Sequence, residues 1–172
     1  MDPVQIIRRG ATISPCGRYR YHLWREWDAS LPSMLLLMLN PSVADDEQDD
    51  RTITKSMAIA RHQGCGRLDV GNLWALRSTD PGILRTDPDP IGPDNDQYLA
   101  QMLQSAQLTI CAWGTKARYL PGRAEAVSKL IAVAGVTPMA LRLTGAGFPS
   151  HPLARGRDYF PHTVNPVPFQ LF

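Results

Sequence analysis

The sequence predicts an α/β fold in which helices cover both faces of a mostly parallel sheet. Three short apolar runs, residues 34–39, 68–73 and 108–112, have the length and composition of buried parallel strands. Segments of helical periodicity separate the runs, so strands and helices alternate along the chain. Parallel neighbours need long crossovers, usually helical, and this alternation supplies them.

The first half of the chain shows these elements in order. Residues 18–25 alternate in the manner of a hairpin or edge strand, and residues 34–39 form the first buried strand. An acidic loop covers residues 43–51. Thr52 then has the character of a helix N-cap, and the helix that it opens ends near Gly64.

The second half continues the alternation. Residues 77–92 are rich in proline, aspartate and threonine and predict a long ordered loop. Pro93 and Pro121 each mark a helix start, since proline suits the first turn. Residues 138–143 form a fourth strand. We expect one domain over residues 1–172, with a core at about 18–160 and a proline-containing coil at 161–172.

Composition narrows the class of protein. Of the residues 44 % are hydrophobic and 20 % are charged, which is enough for a core and too balanced for a disordered chain. The net charge of +2 does not by itself indicate nucleic-acid binding. No stretch has the apolar length of a membrane span, and the N-terminus lacks a signal-peptide pattern, so we expect a cytoplasmic protein with no membrane partner. Cys16, Cys65 and Cys111 show no metal spacing and are expected to be reduced.

Polar residues follow the predicted strands at the edge where open α/β sheets bind ligands. Asn40 with Pro41 and Ser42 follows the first strand, and Asn72 closes the second. Trp113-Gly114 ends the third strand, and His151 lies in a loop after the fourth. These residues are our candidate site.

Each candidate also has a purely structural interpretation. Asn40 could orient a water or bind an amide-like edge, or it could cap its own turn. Asn72 has the same two interpretations. Trp113 could stack on a ligand or pack in the core, and Gly114 permits a close backbone approach. His151, held between prolines, is suited to donate a hydrogen bond to developing negative charge, or is an exposed loop residue.

The acidic loop offers a second kind of site. Asp45, Asp46, Asp49 and Asp50 could hold a magnesium ion, although their spacing fits no calcium-loop pattern and a solvated loop is the simpler interpretation. We therefore expect no resident metal and no other cofactor. No serine-hydrolase, P-loop or dinucleotide motif occurs in the sequence.

Six short motifs together resemble a bacterial and phage family known only as domain of unknown function 1643. They are residues 39–42, 50–52, 72–73, 90–92, 113–114 and 149–153. The resemblance covers about residues 18–160, and it implies no activity, because none is established for the family.

The same ordered motifs resemble, more distantly, the uracil-DNA glycosylase superfamily. This resemblance implies a three-layer α/β/α sandwich around a four-stranded, mostly parallel sheet, with an N-terminal edge hairpin added here. It also implies that Asn40 positions the attacking water, Asn72 reads a flipped base and His151 stabilises the departing base. Leu153 and Arg155 would then wedge into a duplex.

Three functions remain open from the sequence. The first is a glycosylase-like enzyme, with DNA or a free nucleobase or nucleotide as its partner, that hydrolyses an N-glycosidic bond; whether the chain is an enzyme at all is left open. The second is a nucleotide or nucleic-acid binding module without catalysis. The third is a metal-dependent phosphoester enzyme that uses Asp45, Asp46 and Asp50.

Overall fold

The computed structural model describes residues 8–42, 47–119 and 121–171, which form an α/β fold with a seven-stranded sheet and three α-helices. The strands are β1 (Arg8–Ile13), β2 (Arg20–Glu26), β3 (Ser33–Met38), β4 (Arg67–Asn72), β5 (Leu108–Cys111), β6 (Met139–Ala140) and β7 (Val167–Pro168). The helices are α1 (Arg51–His62), α2 (Asn95–Ser105) and α3 (Arg123–Val133). None of these helices has both the length and the apolar character to cross a bilayer.

The sheet has the strand order β1-β2-β4-β3-β5-β6-β7. Adjacent strands from β4 to β6 are parallel, whereas β1, β2 and β7 join in antiparallel pairings. The sequence therefore predicted the α/β class and an N-terminal hairpin at the sheet edge, whereas the C-terminal strand β7 was not expected. The β1–β2 hairpin adds two strands at one edge, and the C-terminal segment adds one at the other.

The apolar run of β3 is explained by burial on both faces of the sheet. Leu35 and Leu37 belong to one hydrophobic cluster, and Leu36 belongs to another. The first cluster contains residues of α2 and α3, and the second contains residues of α1. A strand with helices on both sides has no solvent face, so alternation is lost from its sequence. Each fully buried leucine contributes roughly 1.5–3 kcal/mol of transfer free energy.

The helices begin at residues other than those predicted. Asp50, and not Thr52, is the N-cap of α1, because its side chain accepts a hydrogen bond from the Ile53 amide. The third helix starts at Arg123 instead of at Pro121, since Gly122 before it has a φ of 90°. That left-handed conformation cannot belong to a right-handed helix.

The C-terminal segment differs from the expected coil. The fourth predicted strand is reduced to Met139–Ala140, and it pairs on its outer side with Val167–Pro168. Proline is compatible with such an edge strand, where its missing N–H is not needed by a neighbour. Phe169, which follows, is buried in the cluster that contains α2 and α3.

The cysteines agree with the expectation of reduced thiols. All three are free, with Cys16 exposed and the other two buried. Burial raises the pKa of the Cys111 thiol, which keeps it protonated and unreactive.

Candidate functional site

A cavity of ≈ 370 Å³ lies at the carboxyl ends of β3 and β5. We call it the strand-end cavity. Its wall combines the ends of these strands with the start of α1 and the loop that carries His151. The lining residues used below are Arg20, Asn40, Ser42, Asp50, Thr52, Trp113, Gly114, Lys116 and His151. Five of the nine predicted site residues meet here, which are Asn40, Ser42, Trp113, Gly114 and His151.

Asn40 is held by its amide nitrogen. Its Nδ2 donates to the carbonyl oxygens of Pro41 and Ser78, at 3.1 and 3.0 Å. These bonds use both amide hydrogens, so the side-chain oxygen is the group that Asn40 can offer to a ligand. The turn-capping and ligand-binding interpretations of Asn40 are thus compatible, since different atoms serve each.

Ser42 and Asp50 form a second polar unit in the wall. The Ser42 hydroxyl donates to Asp50 Oδ2 at 2.9 Å, while Asp50 Oδ1 accepts the Ile53 amide at 2.8 Å. The carboxylate therefore caps α1, where the helix dipole favours negative charge, and lies beside the cavity at the same time. Asp50 has a structural role, and it also places a charge at the site.

The loop that carries His151 is fastened to the sheet by main-chain bonds. The Gly114 amide donates to the Pro149 carbonyl, and the Ser150 amide donates to the Arg142 carbonyl, each at 2.8 Å. Gly114 has a φ of 73°, which a residue with a side chain rarely adopts. The predicted Trp113-Gly114 step thus orients the backbone that supports His151.

The protonation of His151 follows from its hydrogen bond. Its Nδ1 accepts the Leu153 amide at 3.1 Å, so the neutral ring carries its proton on Nε2. Burial lowers the pKa of His151, and Lys55 and Lys116 lower it further, against the opposing effect of Asp50. At neutral pH the cavity is therefore lined by an uncharged imidazole with an N–H donor.

Trp113 contributes to the cavity wall through its ring surface more than through its indole N–H. The side chain is 1 % exposed and packs edge-on against Phe169, with ring centroids 5.7 Å apart. The indole nitrogen has no hydrogen-bond partner among the described residues. The core-packing interpretation describes this residue, although it also forms part of the cavity wall.

Asn72 and Pro41 are not brought into the cavity wall. Asn72 is 1 % exposed, and its main-chain carbonyl accepts a hydrogen bond from Asn95 at 3.1 Å. Its side-chain oxygen has no partner among the described residues. Pro41 is buried and accepts the Ser78 amide through its carbonyl at 2.9 Å. The structure gives neither residue direct access to a ligand in this cavity.

Leu153 and Arg155, the remaining predicted residues, lie in a second depression of ≈ 590 Å³. We call it the basic groove. It is lined by residues of α1 and the segment after His151, which include Arg51, Thr54, Lys55, Leu153, Arg155, Tyr159 and His162.

Arg20 and Lys116 also line the cavity, and neither was predicted. Arg20 is 2 % exposed. The β1–β2 register shifts where Ile13 pairs with Arg20 and Thr12 with His22, so β2 has one extra residue there. Such a bulge redirects side chains. The alternating sequence of β2 contains no sign of it.

No cluster of three or more potential metal-ligating side chains occurs in the part of the chain that the structure describes. Asp45 and Asp46, which the magnesium hypothesis requires, lie outside the described residues. Asp50 does lie in the cavity wall, with both carboxylate oxygens hydrogen-bonded.

Comparison with models of protein families identifies the family of this chain. The family model of the proteins of unknown function DUF1643 matches residues 20–153. The chain belongs to the DUF1643 family. This match covers every residue of the cavity wall named above. No curated protein and no solved structure matches this DUF1643 protein.

Proposed function

We propose that the strand-end cavity binds a nucleobase and that this DUF1643 protein hydrolyses the N-glycosidic bond joining the base to its sugar. One observation carries the proposal: His151 and Asn40 line the same cavity, and internal hydrogen bonds to Nδ1 of the ring and from Nδ2 of the amide leave the Nε2–H of His151 and the side-chain oxygen of Asn40 for a ligand. A hydrogen-bond donor and an acceptor in one pocket match the two needs of this reaction.

The reaction separates charge in a defined way. The oxygen of a water bonds to C1′ of the sugar as the C1′–N bond breaks, and the bonding electrons leave with the base. The sugar is positive and the base negative in the transition state. One water proton is released to solvent, and the base takes up a proton, so the products are a free base and a sugar hydroxyl. The protein accelerates this step by stabilising the negative charge and positioning the water.

His151 is assigned to the departing base. Its Nδ1 is occupied by the Leu153 amide, so the neutral ring can donate only from Nε2. A donor fixed in advance stabilises a base oxygen more strongly as that oxygen becomes negative. Burial lowers the pKa of the ring, which favours this neutral donor at pH 7.

Asn40 is assigned to the water. Its Nδ2 is held by the carbonyls of Pro41 and Ser78, which fixes the direction of the side-chain oxygen. That oxygen can accept a hydrogen from water but is too weakly basic to take the proton. Asn40 therefore positions the water without deprotonating it, which suits a reaction driven by leaving-group departure.

The architecture supports the same proposal. The parallel pairing from β4 to β6 and the division of the helices between two hydrophobic clusters fit the α/β/α sandwich of the uracil-DNA glycosylase superfamily. The cavity lies at the carboxyl ends of β3 and β5, where open α/β sheets bind ligands.

A binding protein without turnover is the second candidate. The observation that favours it is the state of Asp50, since both of its carboxylate oxygens accept hydrogen bonds within the protein. Among the described residues, the cavity wall then offers no carboxylate oxygen without an internal hydrogen bond that could act as a base. Such a protein would bind nucleobases and release them unchanged.

An abasic-site assay separates the two candidates. Labelled single- and double-stranded oligonucleotides carrying uracil, mismatched thymine, hypoxanthine or modified pyrimidines are incubated with the protein in EDTA and then treated with alkali. We expect strand cleavage, and we expect His151→Ala and Asn40→Ala each to lose about 100-fold or more, the usual effect of removing one such group. His62→Ala, on the exposed end of α1, is the matched control and should retain full activity.

Each other result has a defined meaning. Base binding without cleavage, by protein shown to be folded by circular dichroism, supports the binding module. Cleavage that survives both cavity variants places the reaction elsewhere and overturns the proposal. Cleavage that appears only when magnesium replaces EDTA supports the phosphoester enzyme.

A further inference from the structure

We infer that the basic groove binds a single-stranded nucleic acid and presents one of its nucleotides to the strand-end cavity. The inference rests on the proposed function of the cavity and adds the form of its substrate. It is carried by the position of the groove, by its charge and by one exposed aromatic ring.

The groove and the cavity share a wall. Along the start of α1, Asp50 and Thr52 line the cavity, while Arg51 lines the groove. In the later loop, His151 lines the cavity and Leu153 lines the groove, and these two residues are hydrogen-bonded to each other. A strand lying in the groove therefore passes within a residue or two of the cavity, so a single nucleotide can turn into it.

The groove carries uncompensated positive charge. Arg51, Lys55 and Arg155 line it, and none of them forms an ion pair among the described residues. Its carboxylate, Asp49, is already paired with Arg25 Nε at 2.6 Å. Three cations that line one groove can neutralise phosphates of a nucleic-acid backbone.

Tyr159 supplies an aromatic surface beside these cations. Tyr159 is 60 % exposed, whereas the next residue, Phe160, is buried. Arg142 donates to the Tyr159 carbonyl at 3.2 Å, and Lys55 donates to the Phe160 carbonyl at 2.7 Å, so the backbone is held while the ring remains open. Lys55 Nζ lies 5.2 Å from the Tyr159 ring centroid, next to its π face.

An exposed ring in a basic groove is typical of single-strand binding. Bases stack on such rings whatever their sequence, while the cations track the backbone. In a duplex the base faces are stacked on one another and are not available to Tyr159. Entry of a base into the cavity likewise requires a nucleotide that has left the stack, which costs least in a single strand. An acidic peptide would match the charge but has no use for the ring.

Fluorescence anisotropy tests the inference directly. The probe is a labelled oligothymidylate of about 12 nucleotides, a length within the range of single-strand sites, compared with a duplex of equal length. We expect the single strand to bind at least about 10-fold more tightly than the duplex. If three cations each neutralise one phosphate, log K should fall with log salt at a slope of about −2.

Variants then assign the binding to the groove. Tyr159→Ala should weaken binding roughly 5- to 100-fold, as expected for a lost stacking contact, whereas Tyr159→Phe should retain it. Arg155→Gln should reduce the salt slope by about 0.7. Lys129→Gln, at an exposed position of α3, is the matched control and should change neither quantity.

Three results would overturn the inference: equal affinity for duplex and single strand, unchanged binding by Tyr159→Ala, or equal binding of polyglutamate. The outcome is separable from that of the abasic-site assay, because thymidine in a plain oligothymidylate need not be cleaved to be bound. Strand binding without base release on any substrate removes the glycosylase proposal and leaves the groove. Base release from free nucleosides without strand binding supports the glycosylase proposal and overturns the inference about the groove.

Discussion

Two regions of the molecule differ in how their charged side chains are paired. In the antiparallel part of the sheet, next to the edge strand β1, strands β2 and β4 carry a network in which Asp69 binds His22 at 2.7 Å and Arg67 at 2.8 Å. We call it the edge network. Arg67 continues to Glu26, which also binds Arg8. Around the basic groove, by contrast, Arg51, Lys55 and Arg155 have no ion pair within the described residues. Paired charges contribute to folding, whereas unpaired ones remain available for a ligand.

This difference explains why the net charge of +2 does not describe the local charge of the basic groove. Carboxylates such as Glu26, Asp49 and Asp69 are engaged with arginines, so they do not offset the groove. The electrostatic potential near a site depends on which neighbouring charges are already neutralised, and the net charge of the chain does not contain that information. Substitutions at three positions would sharpen the contrast between the regions.

The largest expected effect is at the edge network, with Asp69→Ala. Burial alone would raise the pKa of Asp69, but hydrogen bonds from His22 and Arg67 outweigh it and leave the pKa below its ordinary value. Removing the carboxylate deprives His22 and Arg67 of a hydrogen-bond acceptor. This should lower the free energy of unfolding by about 2–3 kcal/mol, which is less than for a fully buried pair because Arg67 is partly exposed. Urea unfolding measures the loss.

The matched control for that substitution is Glu125→Ala at an exposed position of α3, which should stay within about 0.5 kcal/mol of the parent. Oligonucleotide binding should be unchanged in both variants. An Asp69→Ala protein as stable as the Glu125→Ala control would show that the network does not stabilise the fold.

A smaller effect is expected at Asp50, where the strand-end cavity and the basic groove meet. Asp50→Ala removes the N-cap of α1 and should cost about 1 kcal/mol, measured by thermal unfolding. Asp50→Asn keeps a capping oxygen and should cost almost nothing, since both residues are good N-caps. The pair separates the capping role from the charge that Asp50 places at the cavity. Equal loss in both variants would mean that the charge, and not the cap, stabilises the protein.

The smallest effect concerns pH and His151. Because burial lowers the pKa of His151, the unfolded chain binds a proton between that lowered value and about 6.5 while the folded protein does not. The stability should therefore decrease as the pH falls through this window. Chemical unfolding between about pH 5 and pH 8 should show a shallower decrease in His151→Ala than in the parent. A parent-like curve for His151→Ala would contradict the assigned environment.

The order of the main elements was predictable because a strand that is buried on both faces appears in the sequence as a continuous apolar run. The runs that became β3, β4 and β5 contain enough consecutive apolar residues to be recognised without any partner. The meeting of Asn40, Trp113 and His151 also followed from sequence, since carboxyl ends of parallel strands share one edge.

Other features depend on contacts that no local pattern records. The bulge in β2 that accompanies Arg20 arises from pairing with β1, and regular alternation conceals it. Val167–Pro168 has no strand signal of its own and is a strand only because Met139–Ala140 lies beside it. Asn72 ends its strand as predicted, yet it lies outside the cavity wall, because the position of a strand end does not determine how deeply its side chain is covered.

The hydrogen bond from the Leu153 amide to His151 Nδ1 has a thermodynamic consequence. The bond links the ring of a residue that lines the cavity to the main-chain amide of a residue that lines the groove. If a ligand of the groove displaces the Leu153 amide, Nδ1 becomes free to take up a proton, and protonation of Nδ1 breaks this bond in turn. Occupancy of the groove and the ionisation of His151 are then coupled equilibria. Each must shift the other by the same factor, so strand affinity and imidazole titration report on one another.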